Sequence, residues 1–504
     1  MKLKEDIFGK GGKLETAFLL CWYITIASAA FGDCLFRVKL PIGGHFFLFR
    51  GTILLTCLLY LLVLLKRRQN PLTDLSRPEI WFVVLMACML VYGTASILWS
   101  MSISAWFSKL FMMCQMFALS FIFIKICRDP KVLRVTMILL GVTVFICAVG
   151  GFIECFTGPF FDTPYRDYSY VFFNKAMYAP IFTSYNPNGM AVLLLFSIET
   201  LYLWMGWNWG KRTGSTNQIL LWLISVGLAF SIFLCCADGG RLAILSIPII
   251  LLGLAVWLLI CYKKGLLVFL IFFATLSFVY VGENYNQVRF YMQETGKQIQ
   301  QFLEKDSPGS SGDSTSGEST SGESTSGETP PDENIHGTLN TIIPTVTGEN
   351  VNESIASSDG IRLTLLKNSI DMLKKSHGLG IGLGNAELMM AEYANTNGVT
   401  DVHCFFMEVA VEFGVFALIP FLLMVISLAR CTVKEIVDAV KRRDRNRIAN
   451  ILLLLFTAMA YPFLSTANSS SWGIVAMWIY IAMLLLYTKK MEENLDEVVR
   501  QRNL

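Results

Sequence analysis

Arg241, Arg362 and His403 are the residues of this chain best suited by type and position to do chemistry. Each arginine stands in the first turn of a helical pattern, and His403 stands at the mouth of an apolar one. A guanidinium offers a fork of donors that fits phosphate oxygens two at a time. An imidazole can accept the proton of an attacking hydroxyl near neutral pH. Plainer alternatives exist: Arg241 follows Asp238-Gly239-Gly240 and could pair with Asp238, and a lone boundary histidine is more often interfacial than catalytic. Together, two arginines and one histidine suit an anionic lipid-phosphate ligand and an acceptor that must be deprotonated. Residues 157–186 add Tyr165, Arg166 and Tyr168, with Asp162 and Asp167 beside them. Such aromatics could stack on sugar rings while carboxylates take hydroxyl hydrogen bonds, although an interfacial aromatic belt has the same composition.

Other chemistries are poorly supported. Residues 378–384, Gly-Leu-Gly-Ile-Gly-Leu-Gly, look loosely like a dinucleotide fingerprint. That fingerprint needs a strand before it, a helix after it and a ribose-binding acid, so the segment reads as a flexible, close-packing connector. The four histidines, His45, His336, His377 and His403, have no second ligand at i+3 or i+4, and the segment RVKLPIGG between the first two apolar runs has no acid. No metal and no cofactor are expected. Arg50, Lys109, Glu199, Glu408 and Glu412 fall inside apolar patterns, where charge is costly and usually functional. Arg50 and Lys109 are expected to pair with acids on neighbouring helices or to snorkel.

The elements that must position these residues are membrane helices. The 504 residues are 54% hydrophobic and only 16% charged, with a mean hydropathy of +0.54. This excludes a soluble enzyme, a secreted disulfide scaffold and a nucleic-acid binder. Apolar blocks of about 20 residues match a hydrocarbon core of roughly 30 Å. About twelve spans are expected, near 14–36, 44–65, 79–100, 104–126, 132–156, 187–209, 218–238, 241–261, 265–282, 404–429, 449–467 and 472–488. The fold class is therefore an all-α polytopic membrane protein with a large extracytoplasmic loop between helices 9 and 10. Lys and Arg concentrate in alternate short loops, which predicts a cytoplasmic-membrane protein with both termini in the cytoplasm. All 13 cysteines lie in or beside the apolar runs, as small packing residues would.

The chain thus divides into residues 1–282 with nine spans, an extracytoplasmic loop at 283–403, and residues 404–504 with three spans and a cytoplasmic tail. Within the large loop, Ser-Thr-Ser-Gly-Glu recurs at 314–318, 319–323 and 324–328. The surrounding segment 307–332 lacks the apolar groups that offset ordering entropy and is expected to be disordered. Residues 359–375 form an expected amphipathic helix with Leu363, Leu366, Ile370 and Leu373 on one face.

Four segments in this order resemble the O-antigen ligase and polymerase superfamily of bacterial surface polysaccharide enzymes. Asn186-Pro187-Asn188-Gly189 resembles its Asn-Pro-Asn turn, and Gly240-Arg241-Leu242-Ala243 its Ser-Arg-small motif. Arg362 leading into His377-Gly-Leu-Gly-Ile-Gly-Leu-Gly-Asn resembles its arginine helix and glycine run. His403-Cys404, followed by Glu412-Phe413-Gly414, resembles its His-Asn and Glu-x-Gly signature. Cys404 stands in place of Asn, Gly240 in place of Ser, and Ala417 near the place of a second Gly. The resemblance implies a metal-independent, inverting glycosyltransferase working in the lipid bilayer. Its donor would be an undecaprenyl-pyrophosphate-linked glycan, and its acceptor a glycan or lipid at the extracytoplasmic face. Arg241 and Arg362 would hold the pyrophosphate and His403 would serve as base. A polytopic transporter or flippase for lipid-linked glycan is the alternative, although no half-repeat is evident.

Overall fold

Helix starts follow side-chain signals residue by residue. Ser76 and Glu79 form a reciprocal capping box, Ser102 caps the backbone N–H of Ala105, and Asp129 caps a helix whose first residue is Pro130. The computed structural model describes residues 12–32, 36, 38–39, 45–161, 169–172, 175–178, 180–182, 187–208, 241–261, 358–467 and 472–502. By contact, residues 1–281 and 362–504 form one unit and 282–361 another, of which only 358–361 are described.

In chain order the described elements are α1 (Lys13–Ala29), the hairpin β1 (Val38–Lys39) and β2 (His45–Phe46), and α2 (Leu48–Arg67). Then come α3 (Arg77–Ala95), α4 (Ile103–Ile126), α5 (Pro130–Thr157), and the antiparallel hairpin β3 (Ser169–Phe172) and β4 (Lys175–Tyr178). They are followed by α6 (Pro187–Asn208), α7 (Arg241–Cys261), α8 (Ser358–Lys375) and α9 (Asn385–Ala391). The last four are α10 (Phe405–Phe413), α11 (Val415–Lys441), α12 (Arg445–Ala467) and α13 (Val475–Arg502). The protein is an all-α polytopic membrane protein with two small hairpins. Among the described residues, seven helices are long and apolar enough to cross a membrane. The expected spans at 218–238 and 265–282 lie outside the described residues, as does the Ser-Thr-Ser-Gly-Glu repeat.

Two expected spans differ in form. The first stops at Ala29 rather than residue 36, a stretch of 17 residues. The tenth, expected as one helix over 404–429, is broken at Gly414, whose φ of +57° and ψ of −142° end α10 and start α11. Hydropathy runs on through the break, so the apolar pattern alone could not reveal it.

The interior is dense with aromatic rings. Phe405, at the start of α10, meets Trp472 at 5.2 Å and Trp478 at 5.9 Å between ring centroids, and Phe117 of α4 meets Trp478 at 5.4 Å. These contacts fix the short helix that follows His403. α7 lies along α12, where the Trp257 indole donates to Asn450 Oδ1 at 2.7 Å.

At one end of the bundle the basic loops gather. Lys66 and Arg67 reach Glu15 at 3.1 and 3.4 Å, and Arg128 reaches Glu79 at 3.0 Å. Lys125 donates to the Thr73 carbonyl at 2.7 Å, Lys489 to the Asp74 carbonyl, and Arg447 engages Glu435 and Asp438. The segments that the charge pattern assigns to one side of the membrane thus meet each other in space.

Candidate active site

The opposite end of α3 and α4 is built differently. After α8, residues 378–384 run back across the break between α10 and α11. The Ile381 and Gly382 N–H groups donate to the Val411 and Glu412 carbonyls at 2.8 and 3.0 Å, and the Val415 N–H donates to the Gly378 carbonyl at 2.9 Å. The connector therefore satisfies backbone groups that the helix break would leave unpaired. Such an approach requires glycine. Gly380 has φ of +91°, and a Cβ there would lie 2.6 Å from the Glu412 carbonyl oxygen.

The far side of the connector is clamped by the end of α3 and the turn after it. The Tyr92 hydroxyl donates to the Gly380 carbonyl at 3.0 Å and the Trp99 indole to the Ile381 carbonyl at 3.1 Å. The Leu383 N–H donates to Ser96 Oγ at 3.1 Å, and the Met101 N–H to Asn385 Oδ1 at 3.0 Å. Close packing is thus as expected, but the connector is held on both sides rather than left flexible. The physical reason is its location: a buried backbone cannot leave its polar groups unpaired.

Lys109, nearly two turns into α4, joins this assembly. Its ammonium lies 2.7 Å from Glu408, 3.0 Å from Glu412 and 3.0 Å from Glu387. Glu412 Oε1 also accepts the Gly384 N–H at 3.0 Å. The expectation that Lys109 pairs with acids on neighbouring helices is met, and Glu387 is a partner that periodicity did not single out. Arg50 sits over the Phe47 ring, 4.6 Å from its centroid. Glu199, deep in α6, is fully buried, and neither carboxylate oxygen has a hydrogen-bond partner among the described residues. Among the described residues no group of three or more His, Cys, Asp or Glu is arranged to hold a metal ion.

His403 lies between α9 and α10 with a backbone φ of +53°. That left-handed conformation costs a non-glycine residue about 1–3 kcal/mol and clusters at functional sites. Its Nδ1 is buried without a hydrogen-bond partner among the described residues. Burial and the Arg362 guanidinium, close enough to act on it, hold the imidazole down at about 4. The ring is thus neutral at pH 7, with a lone pair to accept a proton. Asp401, two residues earlier, is raised by burial and by Glu387, with Lys109 opposing.

Arg362 is carried by α8, whose observed span reproduces the expected helix with one extra residue at its start. Its face does not. The buried positions are Leu365, Asn368, Ser369 and Met372, whereas Ile370 is 39% exposed. The stripe rotates because Asn368 is drawn inward by Asn395, to which it donates at 2.9 Å, and by the Met390 sulfur at 3.6 Å. Polar pairing overrides the apolar row here.

Of the expected site residues, Arg362 lies within electrostatic reach of His403. Arg241 is the first residue of α7, as expected, but its side chain lies outside what is described. Tyr165, Arg166 and Tyr168 lie outside the described residues. The loop that carries them is pinned at its base by Glu154, a residue the sequence reading passed over. Its carboxylate accepts the N–H groups of Phe160, Ile181 and Phe182 at 2.9, 3.0 and 2.6 Å. A lone acid at the end of an apolar run was the available signal.

Comparison with known proteins bears on the same region. The O-antigen ligase family model matches residues 226–422, a segment containing Arg241, Arg362 and His403. The teichuronic acid biosynthesis protein TuaE of Bacillus subtilis (strain 168) is 28% identical over 131 residues. That match covers 25% of this chain and 26% of TuaE, so it spans about a quarter of the relative's length. Both matches support a likeness of this chain to the O-antigen ligase and polymerase superfamily, and the family match spans the segment that holds the candidate site.

Proposed function

We propose that this protein transfers a glycan from undecaprenyl pyrophosphate to a hydroxyl acceptor at the extracytoplasmic face of the cytoplasmic membrane, building or attaching a surface polysaccharide. The observation that carries the reading is a neutral, partly buried His403 within electrostatic reach of Arg362, in the segment matched by the O-antigen ligase family. The gathering of basic loops at the other end of the bundle supports an orientation with both termini in the cytoplasm and the candidate site outside.

The chemistry asks little beyond positioning, charge balance and a base. His403 accepts the proton of the acceptor hydroxyl as that oxygen bonds to the anomeric carbon. The bond from that carbon to the pyrophosphate oxygen breaks, its electron pair leaves with the undecaprenyl pyrophosphate, and the anomeric configuration inverts. Arg362 and Arg241 balance the negative charge of donor and leaving group. In the free protein Arg362 depresses the proton affinity of His403; a bound pyrophosphate offsets that charge and strengthens the base as the donor arrives.

The acceptor is either a second lipid-linked repeat unit, as in a polymerase, or a different lipid-borne molecule, as in a ligase. Analysis of membrane and surface glycans in a deletion strain tests the reading. Single repeats at the surface identify the polymerase, and lipid-linked polymer left unattached identifies the ligase. Lipid-linked precursor trapped on the cytoplasmic leaflet would replace both with a flippase.

A further inference from the structure

We infer that Lys109 is a positioning residue for the transfer reaction, acting by locking the helix that follows His403 against the connector that follows the Arg362 helix. The inference rests on the functional reading above and on geometry that reading does not use. Lys109 is largely buried, with 11% of its side chain exposed, and its ammonium touches two separate elements at once. Glu408 and Glu412 belong to α10, which begins two residues after His403. Glu387 belongs to α9, which begins at the end of the glycine connector. Glu412 closes the joint, since the oxygen that takes the Lys109 ammonium also accepts the Gly384 N–H.

Charge makes the joint two-sided. Three carboxylates converge on a single ammonium, and the side chains of Glu408 and Glu412 are 5% and 0% exposed. With the ammonium in place they pull α10 toward α4 and α9. Without it, repulsion between Glu387 and the pair Glu408 and Glu412 pushes α10 away from α9, and the tie to α4 is lost. The aromatic contacts of Phe405 with Trp472 and Trp478 hold α10 from the other side, so the helix would tilt about that anchor rather than detach. A tilt of this kind displaces His403 relative to Arg362. Displacement by about 1 Å can cost on the order of 100-fold in rate.

The test is transfer by purified full-length protein, using as donor the lipid-linked glycan that accumulates in a deletion strain. Lys109→Met should lower kcat on the order of 10- to 100-fold per folded molecule, with donor KM little changed, and Lys109→Arg should recover most of the loss. Amide hydrogen exchange over residues 403–413 should speed up in Lys109→Met, a readout independent of turnover. Folded Lys109→Met with wild-type kcat overturns the proposal, as does a loss confined to the yield of folded protein. If Lys109→Met does not accumulate, Glu412→Gln carries the test, because it removes the charge while leaving an oxygen for Gly384; wild-type kcat there also overturns it. His403→Ala run in parallel separates the two claims. An inactive His403→Ala beside a fully active Lys109→Met sinks only the positioning role, whereas a fully active His403→Ala sinks the assignment of the base.

Discussion

The two ends of the bundle handle buried charge in opposite ways. At the basic end each buried acid has cationic partners close at hand: Glu15 has Lys66 and Arg67, Glu79 has Arg128, and Glu435 shares Arg447 with Asp438. The same carboxylate of Glu79 also caps α3, so the pairing is part of the scaffold. At the other end one ammonium serves three acids, a histidine nitrogen is buried without a partner among the described residues, and that histidine sits at positive φ. Balanced pairs keep helices together at little cost in strain. An unbalanced cluster beside a strained, neutral imidazole is what a site prepared for an incoming ligand looks like.

Substitutions at the two ends should therefore separate activity from stability. The largest effect is expected for His403→Ala: turnover falls on the order of 10²–10⁴-fold with the folded protein intact, measured as glycan transferred per mole of protein. Undiminished turnover would place the histidine with the structural residues and erase the contrast.

Arg362→Ala should weaken donor binding on the order of 10- to 100-fold, as loss of a charge-assisted contact does, and Lys should rescue it only in part. The pH profile of kcat/KM, which reports the free protein, sharpens this. With His403 held down at about 4 by burial and Arg362, activity should persist below the usual imidazole range and fall as pH drops through about 4. Removing the guanidinium removes one of those two causes, so the acid limb should move upward. An unmoved limb would detach Arg362 from the base.

At the basic end the expectation reverses. Arg128→Ala leaves the Glu79 carboxylate, 0% exposed, without its cation, and removing one partner of a buried pair costs about 3–5 kcal/mol. The thermal midpoint should drop while turnover per folded molecule stays near wild type. A selective loss of turnover would extend the site across the bundle. The smallest effect is expected for deleting residues 314–328, because loop closure changes by only about 0.6 kcal/mol per doubling of length. Lost transfer at normal membrane levels would make the repeat functional.

Much of this organisation is legible along the chain. Apolar runs mark α2 to α6 and α12 within a few residues, because a hydrocarbon core tolerates little else. Alternate basic loops foretell which helix ends meet. His403 and Arg362 stand out because imidazole and guanidinium at helix starts suit a base and an anionic ligand, and because both fall in segments that resemble one family. The break at Gly414 is hidden in uninterrupted hydropathy, and it is stabilised by residues 378–382, which only the folded chain brings alongside. The rotated face of α8 is hidden for a related reason: Asn368 meets Asn395 across a turn, a pairing no helical period encodes. Glu387 joins Lys109 through space, so its importance cannot be seen from its own neighbours.

The clamp on the connector also has a consequence in time. Tyr92 finds the Gly380 carbonyl 288 residues later in the chain. At synthesis rates of about 5–20 residues per second, the end of α3 waits roughly 15–60 s for its partner to emerge. Through that interval the Tyr92 hydroxyl, the Trp99 indole and the Lys109 ammonium must be satisfied by something else. Their place at helix ends lets interfacial water serve, which a midplane position would not. Assembly of this end is thus a late event in the making of the protein, completed only after α10 has been translated.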